Sequence, residues 1–348
     1  MLLLLCSALA SETSPEVNPP EVNPFVLGQV WGTLYDQDQS SQSDPTGYGD
    51  PEDDPGFKIR RARVGVEGRY DKLTYAVSVG LSSGSDAYSR GQEDIQLVDA
   101  WAGFQLTELI GLSVGATKVP FGRENLISSG ELAFQERTVQ SNHLAPRRDV
   151  GMVFDANGGM WRLRAGAFNG NGSLLGDTDP AVLAVARAEL VFGDGDVYRT
   201  FGKVEGFTLG VAGDFAYNRE YATTTMAFGG DLIARTGGLT VLVEGHAARI
   251  SPLDTTVDAP GVFVDTMRWG GYGQLGYSMG KWEPVHRVEL FDEDTQASDN
   301  GDLMHGVVGL NAHLMDDRVR VGGGYVLRRE TGGSQLPNDT ARLWLQFR

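Results

Sequence analysis

With a single cysteine, Cys6, this chain of 348 residues cannot be stapled by an internal disulfide, so packing and hydrogen bonding must hold it together. Positive charge is also in short supply. There are 29 Lys and Arg against 46 Asp and Glu, a formal charge of −17, which excludes a nucleic-acid partner because phosphate backbones are gripped by a basic footprint. Proline is sparse (14) while glycine is abundant (47), yet the glycines show no collagen period, and 22% charged residues do not describe a disordered chain. No stretch of 18 consecutive apolar residues occurs, which leaves no candidate for a transmembrane helix. If the chain enters a membrane, it does so as a closed β-barrel, the other architecture that satisfies every backbone polar group in hydrocarbon. The five histidines, His143, His246, His286, His305 and His313, lack the spacing of a metal site. Neither a metal nor a cofactor is expected, and most of these histidines are expected as lone polar groups on a lumen face.

What the chain does have is alternation. In residues 72–82, Leu73, Tyr75, Val77, Val79 and Leu81 interleave with Thr74, Ala76, Ser78, Gly80 and Ser82; Leu112 and Val114, and Leu343, Leu345 and Phe347, alternate in the same way. Period two defines strands with two different faces. The pattern predicts sixteen, at 26–35, 57–70, 72–82, 94–106, 110–118, 149–156, 160–169, 181–192, 206–218, 222–235, 238–250, 264–279, 284–292, 303–315, 318–329 and 339–347. A soluble sandwich gives period two as well; the connections discriminate. Tight turns at Asp71, 107–109, 157–159, 236–237, 281–283 and 316–317 alternate with longer loops at 36–56, 83–93, 119–148, 170–180, 251–263, 293–302 and 330–338. Short periplasmic turns and long extracellular loops mark an outer-membrane barrel, and an even strand count puts both ends on the periplasmic side. Two connections break the rule: 193–205 is too long, and the one near Arg219-Glu220-Tyr221 too short.

Ahead of the barrel, MLLLLCSALA at 1–10 reads as the remnant of a signal peptide, with Ala8-Leu9-Ala10 as a small-x-small cleavage pattern. Residues 11–24, SETSPEVNPPEVNP, read as a proline-rich periplasmic tether; the barrel is expected over 25–348. The loops at 36–56 and 292–302 are acidic without a basic residue. They solvate the outer surface, with divalent ions or lipopolysaccharide as secondary partners.

One long segment lacks alternation between two that have it. FGRENLISSGELAFQERTVQSNHLAPRRD, 121–149, sets Arg123, Arg137, Arg147 and Arg148 against Glu124, Glu131, Glu136 and Asp149. Long structureless loops in compact proteins tend to be functional or disordered; here 120–147 is expected to fold into the lumen and narrow it. Phasing each strand so that its apolar face meets lipid places Arg61, Arg63, Arg69, Arg162, Arg164, Arg187, Arg235, Arg268, Arg287 and Arg320 inside, with Glu67, Asp99, Asp155, Glu189, Asp214, Asp231, Glu244 and Glu289. Such a lumen either leans basic and selects anions, or pairs its charges across strands and merely keeps the wall wet.

Several enzyme-like strings have the wrong context. GYGQLG at 271–276 is not followed by a helix, and GLSSG at 80–84 and GLSVG at 111–115 lie in or beside strands rather than at a strand-to-helix turn. Ser141 and His143 are the one pair that a barrel-embedded hydrolase could use. A non-conducting structural or adhesive barrel presenting acidic loops is the other rival.

FKIRRARVGVEG at 57–68, LVDAWAGF at 97–104, VGATKVPFGRENLISS at 114–129, FQERTV at 134–139, PRRDVGMVF at 146–154, FNGNG at 168–172, YGQLGY at 272–277, WEPVHRVELFD at 282–292 and GLNAHL at 309–314 resemble, in order, the phosphate-selective porin O and P family. The resemblance implies a trimeric outer-membrane porin that passes small hydrophilic solutes down their gradients, embedded in lipid and lipopolysaccharide, and catalyses nothing. Arg60 and Arg61 match the family's arginine pair, Arg137 its constriction arginine and Asp99 its lumen aspartate. Together with the local charges, the expected anion path comprises Arg60, Arg61, Arg63, Asp99, Arg123, Arg137, Arg147 and Arg148. Asn125 stands where phosphate-binding members carry lysine, Gln29 where they carry arginine, and YNREYATTTMAF keeps only Arg219 of an arginine-rich stretch. These departures predict anion preference without a tight phosphate site. At the end of the chain, the expected terminal aromatic is Phe347, one residue early.

Overall fold

The computed structural model describes residues 20–36, 55–82, 95–172, 182–220, 222–253, 264–299, 301–335 and 338–348. The signal-like segment, residues 11–19 and the acidic run 37–54 lie outside them. Sixteen strands form one closed antiparallel barrel in which each pairs with its chain neighbours and β1 closes on β16. They are β1 Glu21–Asp36, β2 Gly56–Tyr70, β3 Leu73–Ser82, β4 Ile95–Gln105, β5 Ile110–Lys118, β6 Arg148–Asn157, β7 Trp161–Phe168 and β8 Val182–Phe192. The second half continues with β9 Val204–Arg219, β10 Thr223–Gly237, β11 Leu239–Pro252, β12 Thr266–Tyr277, β13 Trp282–Asp292, β14 Leu303–Leu314, β15 Val319–Glu330 and β16 Thr340–Phe347. Among the described residues no helix is long and apolar enough to cross a membrane.

The largest boundary error in the sequence reading is at the first strand, which begins at Glu21 and not 26. The last part of the expected tether, 21–24, therefore belongs to the sheet, with Val22 opposite Gly68 and Pro24 opposite Val66. Its composition looked like a linker because of its prolines. Pairing with β16 starts only at Gly28, so this stretch is an edge, where proline's missing N–H is tolerated.

The burial pattern is inside-out relative to a soluble protein. Val77 is 52% exposed and its neighbour Ser78 only 2%, and the same inversion runs through the sheet: outward Val211, Leu232, Val243 and Leu290 are exposed, while inward Arg187, Asp231, Glu244 and Glu289 are buried. An outward apolar face is stable only against hydrocarbon. At the ends next to the short turns, outward Tyr70, Phe104, Trp161, Phe192, Phe207, Tyr277, Trp282 and Phe347 make the aromatic girdle of a membrane interface. His286 belongs to the outward set, contrary to the lumen position expected for most histidines.

Among the described residues two connections enter the barrel. Residues 119–147 carry two short helices, α1 Arg123–Leu126 and α2 Val139–His143, with a 3-10 turn at Ser129–Glu131 between them. Val119, Phe121, Ile127, Ala133 and Thr138 are fully buried. The second is the overlong 193–203: its Val197 and Phe201 are buried, the Thr200 amide donates to the Glu131 carbonyl at 3.0 Å, and the Ala133 amide donates to Thr200 Oγ1 at 2.7 Å. The exception to the short-turn rule is thus a connection that packs beneath the first loop.

Candidate functional site

The long loop is fastened along one side of the barrel. Gly122, at φ 71°, sits where an added Cβ would lie 2.8 Å from Glu244 Oε1, so the turn into α1 requires glycine. Beyond it, Glu244 Oε2 accepts the Glu124 amide at 2.9 Å, and Arg123 reaches Asp231 at 2.6 Å and Glu189 at 2.8 Å. Further along, Gln346 and Gln29 donate to the Gly130 and Ser129 carbonyls, Asn311 donates to the Ala133 carbonyl at 2.9 Å, and the Val139 amide donates to Glu289 at 2.9 Å. Glu131 is clamped between Arg199 and Arg348, and Arg348 also lies over the Phe201 ring. Arg348 thus works inside the barrel, tying the loop to the 193–203 connection.

Against β2 the sheet is irregular. Gln29 pairs with Arg61 and Val30 with Ile59, so Arg60 is an extra residue in a bulge. Bulges re-aim side chains. Here two consecutive arginines, which strict alternation would place on opposite faces, are both buried at 1% and 6% exposure. Arg60 Nε binds Glu136 at 2.8 Å; Arg61 binds Gln29 Oε1 at 2.9 Å and the Gln135 carbonyl at 2.7 Å.

Next to them opens a cavity of about 210 Å³ lined by Arg60, Arg61, Arg63, Arg137, Arg147 and Arg148. Among the described residues no carboxylate lines it. Two stand close behind: Glu136 with Arg60 and Arg61, and Asp99, which accepts from Arg148 at 2.9 Å and Ser78 at 3.0 Å. Burial raises the Glu136 carboxyl, but Arg60 and Arg61 outweigh it and hold it well below the usual range. Burial and neighbouring guanidiniums lower Arg137 to about 10, which leaves it charged at neutral pH.

The structure therefore brings six of the eight expected path residues to one cavity, with Asp99 bonded to its rim. Arg123 is elsewhere: fully buried between Asp231 and Glu189, it anchors the loop to β8 and β10. Its mixed-charge surroundings in sequence gave no sign of this, because its partners lie 66 and 108 residues further along the chain. Sequence reasoning missed Lys118. Its Nζ donates to the Leu126 and Ile127 carbonyls at 2.8 and 2.9 Å. It also lines a second cavity of about 350 Å³, with Arg162 and Arg164 sharing Asp155.

The two departures at Asn125 and Gln29 have structural work to do. Asn125 Nδ2 ties together the carbonyls of Phe121 (3.2 Å) and Pro146 (2.8 Å) at the base of the loop. Gln29 bridges Arg61, Ser129 and Gln346. Ser141 and His143 form no dyad: they lie two apart on α2, where side chains diverge, and Ser141 Oγ is buried without a hydrogen-bond partner. Glu124, pushed up to about 7 chiefly by burial, is held by Thr138 and Arg287 as part of the loop's attachment.

A 16-stranded barrel with polar lumen, apolar girdled exterior and inward loop is the architecture of outer-membrane porins. The profile of the phosphate-selective porin O and P family matches residues 36–224, and the chain belongs to that family: it is a porin of the bacterial outer membrane. Among solved structures it is similar to the trimer form of OmpT from Vibrio cholerae (12% identity, TM-score 0.61, 94% of this chain and 99% of that one). It is also similar to OprB from Pseudomonas putida (11%, 0.62, 94% and 94%) and to an anion-selective porin from Comamonas acidovorans (11%, 0.59, 94% and 99%). No curated protein matches by sequence. Fold and family are those of a channel rather than an enzyme.

Proposed function

We propose that this porin is an anion-preferring diffusion pore, assembled as a homotrimer in lipid and lipopolysaccharide, which carries out no covalent chemistry. The observation that carries the reading is the cavity faced by six arginines, in a chain whose overall charge is −17. Solutes would enter past Arg60, Arg61, Arg63, Arg137, Arg147 and Arg148, cross beside Lys118, and leave past Arg162 and Arg164. Unit charges in a narrow, partly dehydrated passage act far more strongly than in bulk water. Binding of phosphate stays weak, because the positions of Gln29 and Asn125 are committed to hydrogen bonds within the protein. The trimer form of a similar porin supports the assembly.

The test is the reversal potential in planar bilayers under a KCl gradient. The expected result is anion preference that falls several-fold when Arg61 and Arg63 are replaced by glutamine. Cation selectivity in the unaltered protein would overturn the reading, and block of chloride current by micromolar phosphate would overturn the weak-binding part of it.

A further inference from the structure

Behind the constriction loop, on the side away from the six-arginine cavity except for shared Arg137, lies a smaller cavity of about 70 Å³ between loop residues 134–142 and strands β1 and β13–β16. Its walls are apolar: Trp31, Phe134, Val139, Val307, Val326 and Trp344. Both indoles have their N–H groups engaged elsewhere, Trp31 with Gln135 at 2.5 Å and Trp344 with Asn311 at 2.9 Å, so their rings bound the space as apolar surfaces.

The polar lining is cationic. Arg287 lies over Phe134 at 4.9 Å and Arg342 over Trp31 at 4.0 Å; Arg328 adds a third guanidinium and His305 an imidazole. Glu289 is neutralised by Arg287 at 2.7 Å and Glu136 by Arg60 at 2.8 Å. Among the buried atoms of lining residues without a hydrogen-bond partner, which include Gln135 Nε2, Asn142 Oδ1 and Arg287 Nε, are Arg328 Nε and His305 Nε2, on residues only 3% and 5% exposed. Buried polar atoms are rarely left unsatisfied, because each costs about 1–3 kcal/mol. Unpaired donor capacity beside aromatic and branched walls calls for an anion with an apolar body.

We propose that this cavity is a side site for a short-chain aliphatic carboxylate. Its carboxylate would accept from Arg328 and His305, and its hydrocarbon end would lie among Trp31, Val307 and Trp344. At about 10–15 Å³ per water-sized group, the space holds roughly five to seven non-hydrogen atoms, the size of propionate to valerate; an inorganic ion would leave the apolar walls uncovered. The site would be loaded from the anion path past Arg137, so the proposal rests on the anion-preferring reading for its supply and on this cavity for its selectivity.

The experiment uses the purified, detergent-solubilised porin, with acetate and butyrate as probes in saturation-transfer NMR and as additives to the bilayer recordings. Butyrate should bind about tenfold more tightly than acetate, as two more buried methylenes at about 0.8 kcal/mol each imply, and should interrupt the chloride current at concentrations where acetate does not. Val307→Trp, which fills the cavity from its wall, should abolish butyrate binding while leaving the KCl reversal potential unchanged; Val326→Phe is a second filling variant should the first fail to assemble. Equal affinity for acetate and butyrate in the unaltered protein would overturn the proposal. So would butyrate binding that survives both filling variants. A cation-selective reversal potential with tight butyrate binding would instead sink the proposed function and leave this site standing.

Discussion

The two sides of this barrel treat inward charge in opposite ways. Along β8–β14, arginines and carboxylates face one another at contact distance: Arg187 binds Asp214 and Asp231, both at 2.8 Å, Arg123 joins Asp231 and Glu189, and Arg287 joins Glu289 and Glu124. The constriction loop lies on this wall, and the charges serve as its fasteners. Along β2–β7 the loop stays clear of most of the wall; Arg63, Asp99, Arg162 and Arg164 are only half-buried, and guanidiniums outnumber carboxylates around the upper cavity. The expectations of a lumen that leans basic and of a wall of paired charges therefore each describe the charge placement on one side. Paired charge fixes structure, whereas guanidiniums in excess of nearby carboxylates on an open surface are left over for solutes.

The largest expected effect comes from removing what distinguishes the two sides. Deleting residues 126–142 strips the loop from its wall, and single-channel conductance should rise several-fold. Unchanged conductance from a folded barrel would mean that the loop does not limit the passage. Next, Arg123→Met should be strongly destabilising, because it leaves Asp231 and Glu189 short of a partner in a buried site; the loss of one member of such a pair costs about 3–5 kcal/mol. Urea unfolding in vesicles measures it, and a loss below about 1 kcal/mol would show that this network is not the fastener. A smaller contrast concerns the inner and outer faces of one strand. Val77→Arg should cost about 2–4 kcal/mol if near midplane, and Ser78→Arg, which points to the lumen, much less; the reverse order would invert the phasing of β3.

How much could be read without coordinates differs by feature. All sixteen strands were legible, because hydrocarbon on one face and water on the other impose period two on every strand, and the turns carry local signals such as Asp71 at φ 52° and Gly237 at φ 56°. The first strand was drawn short because prolines at an unpaired edge resemble those of a linker. His286 faces outward, as the phasing that puts Arg287 and Glu289 inside requires, and is an exception to the lumen position expected for most histidines.

The sequence by itself determined the barrel, its membrane-facing surface and the loop that enters it, since these follow from periodicity, from segment length and from local turn chemistry. Only the tertiary structure decided which charges are fasteners and which line the path. The bulge at Arg60 turns two successive arginines to one side. Arg123 meets its carboxylates 66 and 108 positions along the chain, and Glu131 is clamped by Arg199 and Arg348 from two other connections. Electrostatic partnership depends on distance in space over a few ångströms, and in a closed barrel the strands and an inward loop bring residues that close from any part of the chain.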